Sequence, residues 1–190
     1  RDRIESENKK NETEIALKET ERKLITLLDN FPGMAYRCSN NRSWTMEMVS
    51  QGCKELTGYE PEEILKDKVI DFNSIIHEDY RELLWEQWQK VIEERKIFIF
   101  EYQIRTKTGE IRWVWEQGKP IYNDEGIPVA LEGIIFDITE RKNLEESNRQ
   151  NENLQNALFD AFPDILFRLS KKSEIIGFKS SKQVKLFTEP

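Results

Sequence analysis

Residues 97–139 restrict the fold more than any other part of the sequence, because they predict three consecutive strands joined by two tight turns. The segment IFIFEYQIRT (97–106) places Phe98, Phe100, Tyr102 and Ile104 on one face, which is the two-residue period of a half-buried strand. KTGE supplies a hairpin turn with Gly109 at positive φ. NDEG then separates the strand at 110–122 from the strand at 127–139. Such short connections predict an antiparallel meander.

Two further strands and several helices precede the meander. An Asn-rich turn separates MAYRCS (34–39) from SWTMEMVS (43–50), and both segments predict strands. QGCKELTGY predicts a short helix closed by Gly58, and Pro61 with its acidic neighbours predicts the start of another. Residues 77–95 carry apolar side chains at helical spacing and predict one long amphipathic helix. This order predicts an α+β fold, with a five-stranded antiparallel sheet that carries the short helices and the long helix on one face.

Charged helices are predicted on both sides of the sheet. Residues 1–28 contain no Pro or Gly and half of them are charged, which predicts a helix solvated at its start and packed at its end. After the last strand, Asp137 and Glu140 fit a helix-start capping box. A heptad can be written with Leu144, Asn151 and Leu158 at one seam position and Ser147, Leu154 and Ala161 at the other. Because it covers fewer than three heptads, a coiled coil is a hypothesis for both flanking helices.

Two stretches of the sequence are similar to each other. LLDNFPGMAYRC (27–38) and LFDAFPDILFRL (158–169) share Leu, Asp, Phe, Pro and Arg at a constant offset of 131 residues. IIGFKSSKQVKLF follows the second copy and resembles the second strand and first helix that follow the first copy. The second copy stops at Pro190 without a long helix or a meander, and the chain starts with Arg1 rather than Met, so we expect a fragment of a longer protein.

Three motifs in order connect the chain with a known family. The small helices match in VSQGCKELTGYEPEEILKDK, the start of the long helix in IIHEDY, and the meander with its exit in FEYQIRTKTGEIRWVWEQGKPIYNDEGIPVALEGIIFDITERK. Together they resemble a PAS domain with its C-terminal PAC half, over about residues 27–142. The resemblance implies an N-terminal helix at 1–28, the PAS domain at 29–142, a linker helix at 143–160 and the start of a second, truncated PAS domain at 161–190.

Composition and missing motifs exclude several functions. The net charge is −7 without a polybasic cluster, which argues against nucleic acid or an anionic membrane as a partner. No run approaches the ~20 apolar residues of a membrane span. Cys38 and Cys53 are too few for a disulfide scaffold and indicate a reducing cytoplasm. His77 is the only histidine, and no paired zinc ligands, phosphate loop or kinase histidine box occurs, so the fragment is predicted to be non-catalytic.

Some members of the family that the chain resembles hold haem or flavin, and neither cofactor is expected here. His77 starts the long helix, where a capping role is favoured over haem ligation. The light sensors of this family use a cysteine in an Asn-Cys-Arg stretch after the small helices, whereas this chain has KDKVIDF there. The identity of any cofactor stays unknown from the sequence.

The pleat and the resemblance assign the two faces of the sheet. The candidate ligand-pocket residues, which should point inward, are Phe100, Tyr102, Ile104, Val114, Glu116 and Ile135. Trp113 and Trp115 should lie on the outer face, where the N-terminal helix, a partner protomer or both would cover them.

Glu116 is the odd member of the inward set, because a carboxylate that faces an apolar cavity must be paired, protonated or hydrated. Arg37 and Arg105 are the candidate partners. Glu116 could serve as a polar anchor for a small ligand, and a structural ion pair or a solvated strand end is the favoured alternative.

The resemblance implies a sensory and dimerisation module of a larger signal-transduction protein, most directly a sensor histidine kinase of a two-component system. Asp137 and Thr139 join the sheet to the exit helix and are expected to transfer the signal. Expected partners are a second copy, bound through the flanking helices and the outer sheet face, and a small-molecule ligand. Alternatives are a module of a diguanylate cyclase or transcriptional regulator, and a ligand-free structural spacer.

Overall fold

The structure is a computed structural model that describes residues 14–20, 22, 23, 26, 28, 32–161, 166–172 and 175–179. The chain divides into two compact units, Arg1–Thr139 and Glu140–Pro190, and each is described by itself. The four-part domain division expected from the sequence stays a prediction.

The first unit contains the five-stranded antiparallel sheet that the sequence predicts. Its strands are β1 (Met34–Cys38), β2 (Met46–Val49), β3 (Phe98–Arg105), β4 (Ile111–Tyr122) and β5 (Pro128–Asp137). The order across the sheet is β2-β1-β5-β4-β3. The meander therefore forms as predicted, and β1 lies in the sheet beside β5. That placement puts β5 between β1 and β4.

Four helices connect β2 to β3, and one follows β5. They are α1 (Gly52–Thr57), α2 (Pro61–Ile64), α3 (Phe72–Ile75), α4 (Glu78–Glu94) and α5 (Thr139–Ala161). Gly58 closes α1 at φ 79°, as its freedom at positive φ predicts. Pro61 begins α2, inside a capping box made by Glu60 and Glu63. The short α3, which Asp71 caps, is absent from the sequence prediction.

Helix α4 covers the inner face of the sheet and completes the core. Its buried side chains are Leu84 and Trp88. The Trp88 ring stacks on Phe98 of β3 with centroids 4.3 Å apart and an interplanar angle of 11°. A Cβ atom at Gly118 of β4 would lie 2.8 Å from the same ring, so Trp88 fits closely because Gly118 has no side chain.

The outer face carries the two tryptophans that the sequence placed there. Trp115 packs against Phe136 of β5 at a centroid distance of 5.8 Å. Trp113 makes an edge-to-face contact at 5.9 Å with Tyr80, near the start of α4. Both tryptophans are half-buried. These contacts explain part of their burial, whereas residues 1–13 of the predicted N-terminal helix lie outside the described residues and residues 14–20 are helical and exposed.

The second unit consists of α5 and a two-stranded antiparallel hairpin, β6 (Leu166–Leu169) and β7 (Ile175–Lys179). The apolar side chains of Leu144, Leu154 and Leu158 on α5 are more than half exposed. Within the described residues, no helix is both long and apolar enough to cross a bilayer. The helix predicted at the end of the second sequence copy lies in residues 180–190, outside the described residues.

The β6–β7 hairpin repeats the internal register of β1–β2. Tyr36 and Arg37 pair with Val49 and Met48, after which the register shifts and Cys38 pairs with Met46. In the second hairpin, Phe167, Arg168 and Leu169 pair with Phe178, Gly177 and Ile175, with the shift at the same step. The offset of 131 residues thus holds for the first strand and its irregularity. The start of a second PAS domain at 161–190 stays a prediction.

Substitution of Leu84 by alanine should destabilise the domain by about 2–5 kcal/mol, because it removes a side chain that is 2% exposed in a close-packed core. The neighbouring Leu83 is 40% exposed and provides a matched control. Urea unfolding of Leu84→Ala and Leu83→Ala should show a clearly smaller loss for Leu83. Equal losses would contradict this assignment of the core face.

Candidate functional site

The inner face of the sheet brings the predicted pocket residues together, but side chains fill the space that they enclose. Tyr102, Ile104, Val114, Glu116 and Ile135 are buried, and Phe100 is half-buried against the core. A space of about 10 Å³ remains beside Glu116, bounded by side chains that include Tyr36, Trp88 and Leu84. That volume suits a single water molecule. Ligand binding by the six predicted residues stays a prediction, and any organic ligand would have to displace core side chains.

Glu116 is buried, with 3% of its surface exposed, and accepts a hydrogen bond from the Tyr36 hydroxyl. The expectation that Arg37 or Arg105 pairs with it is wrong. The Arg37 guanidinium pairs with Glu47 at 3.0 Å and with Glu132 at 2.5 Å, and Arg105 is exposed. Both arginines occupy strand positions that point away from the inner face, so the pleat keeps them from Glu116.

Two glycines allow Tyr36 to reach Glu116 across an intervening strand. Tyr36 of β1 lies opposite Gly133 of β5, and Gly133 lies opposite Gly118 of β4. Cβ atoms at Gly133 and Gly118 would lie 2.8 Å and 3.0 Å from the Tyr36 hydroxyl oxygen. The hydroxyl can therefore cross β5 because neither glycine has a side chain. Glycine inside two predicted strands was the sequence feature that could have indicated this close approach.

Burial raises the pKa of Glu116 to about 7, and the neighbouring side chains of Tyr36, Tyr102 and Trp88 oppose that effect. Burial and the nearby Glu116 raise the pKa of both tyrosine hydroxyls well above the usual value, so both keep their protons. The buried Tyr102 hydroxyl has no partner in hydrogen-bonding geometry within the described part of the chain. Glu116 thus faces hydroxyl groups and an indole.

The cysteines and the histidine have structural surroundings. Burial raises the pKa of the Cys38 thiol strongly and that of the Cys53 thiol to about 11, so neither forms a reactive thiolate near neutral pH. His77 caps α4, where its Nδ1 accepts a hydrogen bond of 3.4 Å from the Asp79 amide. This confirms the capping role expected for His77. Among the described residues, no cluster of three or more His, Cys, Asp or Glu side chains could hold a metal ion.

A compact set of hydrogen bonds joins β4 to the start of α5. The Trp113 amide donates to the Thr139 hydroxyl at 2.9 Å, and the Ile138 amide donates to the Trp113 carbonyl at 2.9 Å. Asp137 Oδ1 accepts from the Thr139 amide at 2.8 Å, which organises the first turn of the helix. The strand therefore passes into the helix without a free linker.

Arg112 extends this junction to the small helices. Its Nη1 atom lies 3.6 Å from Asp137 Oδ2 and donates to the carbonyl of Glu55 in α1 at 2.7 Å. The side chain is about one-quarter exposed, so solvent only partly screens the interaction. One guanidinium thus contacts both the end of α1 and the end of β5, a link that the sequence prediction did not include.

The outer face holds a groove of about 420 Å³ above the two glycines. Apolar and polar side chains line it, including Ala35, Met48, Ile134, Gln117, Lys119 and Glu132. Lys119 and Glu132 are directly paired positions of β4 and β5. This groove therefore lies on the outer face, opposite the predicted ligand pocket.

Comparison with known proteins agrees with this architecture. Residues 47–135 match the family described as the PAS fold. The chain is 31% identical over 129 residues to the methyl sulfide methyltransferase-associated sensor of Methanosarcina acetivorans, covering 67% of this chain and 13% of that protein. It is 36% identical over 93 residues to a blue-light-activated histidine kinase of Brucella anthropi, covering 48% of this chain and 18% of that protein.

A solved structure shows the same fold. The crystal structure of a sensory box histidine kinase/response regulator from Burkholderia thailandensis superposes with a TM-score of 0.55 at 27% identity, over 69% of this chain and 97% of that chain. Residues 47–135 therefore belong to a PAS domain, which is a sensory, non-catalytic module. The chain spans less than one-fifth of the length of the two relatives named above.

Substitution of Glu116 by glutamine should remove a pH dependence of stability. The pKa of about 7 in the folded chain exceeds the ordinary value of 4.5, so the folded state binds this proton more tightly than the unfolded state does. The resulting stabilisation is complete below about pH 4.5 and is lost as the pH rises through about 7. Urea unfolding across this range should show a declining free energy of unfolding for the wild type and a flatter profile for Glu116→Gln.

The matched control for that measurement is Glu132→Gln, since Glu132 lies on the opposite face and its side chain is 39% exposed. This variant should keep the wild-type slope. A wild-type stability that stays constant between about pH 5 and 8 would contradict the unusual protonation of Glu116.

Proposed function

We propose that this PAS domain is the sensory and dimerisation module of a larger signal-transduction protein, most simply a cytoplasmic histidine kinase. The module passes a change in its sheet into α5. The similarity to a histidine kinase of Brucella anthropi, at 36% identity, supports a histidine kinase as the full-length protein that contains this domain.

The junction between β4 and α5 is the observation that carries this proposal. Thr139 is the first residue of α5, and its hydroxyl is bonded to the backbone of Trp113 in β4. A shift or twist of β4 relative to β5 therefore acts directly on the first turn of the helix. Because packed elements prefer discrete arrangements, a small displacement can select between two helix positions.

Dimerisation is proposed through the flanking helices and the outer face of the sheet. The exposed leucines of α5, Leu144, Leu154 and Leu158, occupy the predicted heptad positions, and an apolar stripe of this kind gains stability when a second helix buries it. Asn151 lies in the same seam and would fix its register. The outer-face groove that Met48 and Ile134 line offers a second contact surface for the partner protomer.

A ligand-free structural spacer is the second candidate function, and the filled interior favours it. Only about 10 Å³ is free beside Glu116, which leaves no room for an organic ligand without repacking. A spacer would hold α5 in one position and would not require the hydrogen bonds between Thr139 and Trp113 to transmit anything. The following experiment separates a spacer from a transmitting module.

A short run of glycines inserted directly after Thr139 should uncouple the domain from its output. In a fusion of this chain to a histidine kinase core, we expect autophosphorylation to fall to the rate of the core alone, because glycine interrupts the helix that carries the displacement. The control places the same insertion in the exposed turn at 123–126, where the output should persist. Unchanged activity after insertion at Thr139 would contradict transmission through α5.

Leu154→Asp should weaken self-association, because it puts a charge into the proposed seam. Sedimentation equilibrium of the purified chain should show at least a tenfold increase in the dimer dissociation constant, corresponding to about 1.4 kcal/mol. Asn156→Asp adds the same charge at an exposed position outside the seam and should leave the constant unchanged. Equal effects of both substitutions would argue against a seam through Leu154.

A further inference from the structure

The hydrogen bond between Tyr36 and Glu116 is unusual in its path. It joins β1 to β4, although β5 lies between these strands. The Tyr36 side chain passes over Gly133, and Glu116 pairs with Ile135 in the neighbouring register of β5. The strand that leads into α5 is therefore held beneath a side-chain bond between its two neighbours.

Among the described residues, the groups that face Glu116 carry no positive charge. Tyr36 and Cys38 face it from β1, Tyr102 from β3 and the Trp88 indole from α4. In the part of the chain that the structure describes, no lysine, arginine or histidine side chain forms an ion pair with it. A buried carboxylate without a cation is costly, so binding a proton relieves the cost.

The two protonation states of Glu116 have different hydrogen-bonding needs. An ionised carboxylate only accepts, and it can take the hydroxyl protons of both Tyr36 and Tyr102. A protonated carboxyl carries one O–H donor that requires an acceptor, and the unpartnered Tyr102 oxygen supplies one on β3. Phe100 pairs with Glu116 and Tyr102 with Val114, so Tyr102 lies diagonally across the same face. The proton thus changes Glu116 from a group that only accepts hydrogen bonds to one that also donates a hydrogen bond to Tyr102 on β3.

We propose that Glu116, Tyr36 and Tyr102 form a proton-binding regulatory site in the core of this PAS domain, in which the proton takes the place of an organic ligand. Loss of the proton strengthens the bond across β5, and gain of the proton weakens it in favour of Tyr102. Burial, which raises the pKa of Glu116 to about 7, places this change near neutral pH.

The proton site lies close to the hydrogen bonds that join β4 to the start of α5. Glu116 lies on β4 three residues after Trp113, whose backbone holds Thr139. A change in the strength of the Tyr36–Glu116 hydrogen bond therefore acts on β4 and β5, the two strands that adjoin the start of α5. This role in regulation rests on the proposed function, whereas the proton site itself does not.

The first test is a pH titration of the purified chain, followed by the infrared carbonyl band of a protonated carboxyl group and by tryptophan fluorescence. The wild type should show one transition with a midpoint near pH 7. Glu116→Gln should abolish the transition. Tyr36→Phe should move its midpoint to higher pH, because the substitution removes a donor that favours the ionised form. A purely structural role of Tyr36 would leave the midpoint in place.

The control for this titration is Glu132→Gln, which should retain the wild-type midpoint. Persistence of the same carbonyl transition in Glu116→Gln, or an ionised Glu116 throughout the neutral range, would overturn the proton site. The glycine-insertion experiment does not depend on this result, so failure here would leave transmission through α5 intact.

The second test is amide hydrogen exchange at Trp113 and Ile138, compared between wild type and Glu116→Gln at the same pH, where the intrinsic exchange rates cancel. Below the midpoint the two chains should agree, since both carry a neutral group at position 116. Above it, exchange in the wild type should differ severalfold from the variant. Suppose that the wild type titrates with a midpoint near pH 7 but that wild type and Glu116→Gln exchange at equal rates both below and above this midpoint. That result would overturn the regulatory coupling.

Discussion

The bond from Tyr36 to Glu116 imposes conditions that the surrounding structure has to satisfy. The tyrosine crosses β5 only because Gly133 and Gly118 lack side chains. The carboxyl stays out of water because α4 closes the inner face, with Trp88 stacked on Phe98 and lying against Gly118. An unpaired buried carboxylate costs free energy, so the glycines, the aromatic stack and the hydrogen bond have to be present together. One polar contact thereby links three neighbouring strands and the long helix.

The filled interior of this domain should respond to displacement differently from a domain whose sheet encloses a ligand cavity. Close-packed side chains compress little and pass displacement to their neighbours. The inner face of the sheet is filled by large apolar residues, and the beginning of β4 is hydrogen-bonded to the beginning of α5. Arg112 adds the end of α1 to the same region. Hydrogen bonds therefore connect the end of α1, the beginning of β4 and the first residue of α5.

The sequence was most informative where a structure depends on neighbours along the chain. Alternation located β3, β4 and β5 within one or two residues of their ends, and Gly58 and Pro61 marked helix boundaries for local conformational reasons. The same alternation placed Glu116 on the inner face, yet the predicted arginine partners were wrong. Alternation assigns a face but does not say which strand lies next to which. The true partner is 80 residues away in sequence, and Tyr36 reaches it only because β1 is inserted beside β5.

Local sequence patterns therefore determined the elements, the two faces of the sheet, the helix caps and the resemblance to the PAS family. Backbone propensity, turn chemistry and side-chain period act over a few residues, so one sequence suffices to reveal them. Tertiary structure alone decided that the interior is filled, that Glu116 meets two tyrosines instead of an arginine, and that Arg112 joins α1 to the end of β5. These properties depend on strand order and on the volumes of side chains brought together from distant parts of the chain, and such distances are set only when the whole sheet and α4 pack against each other.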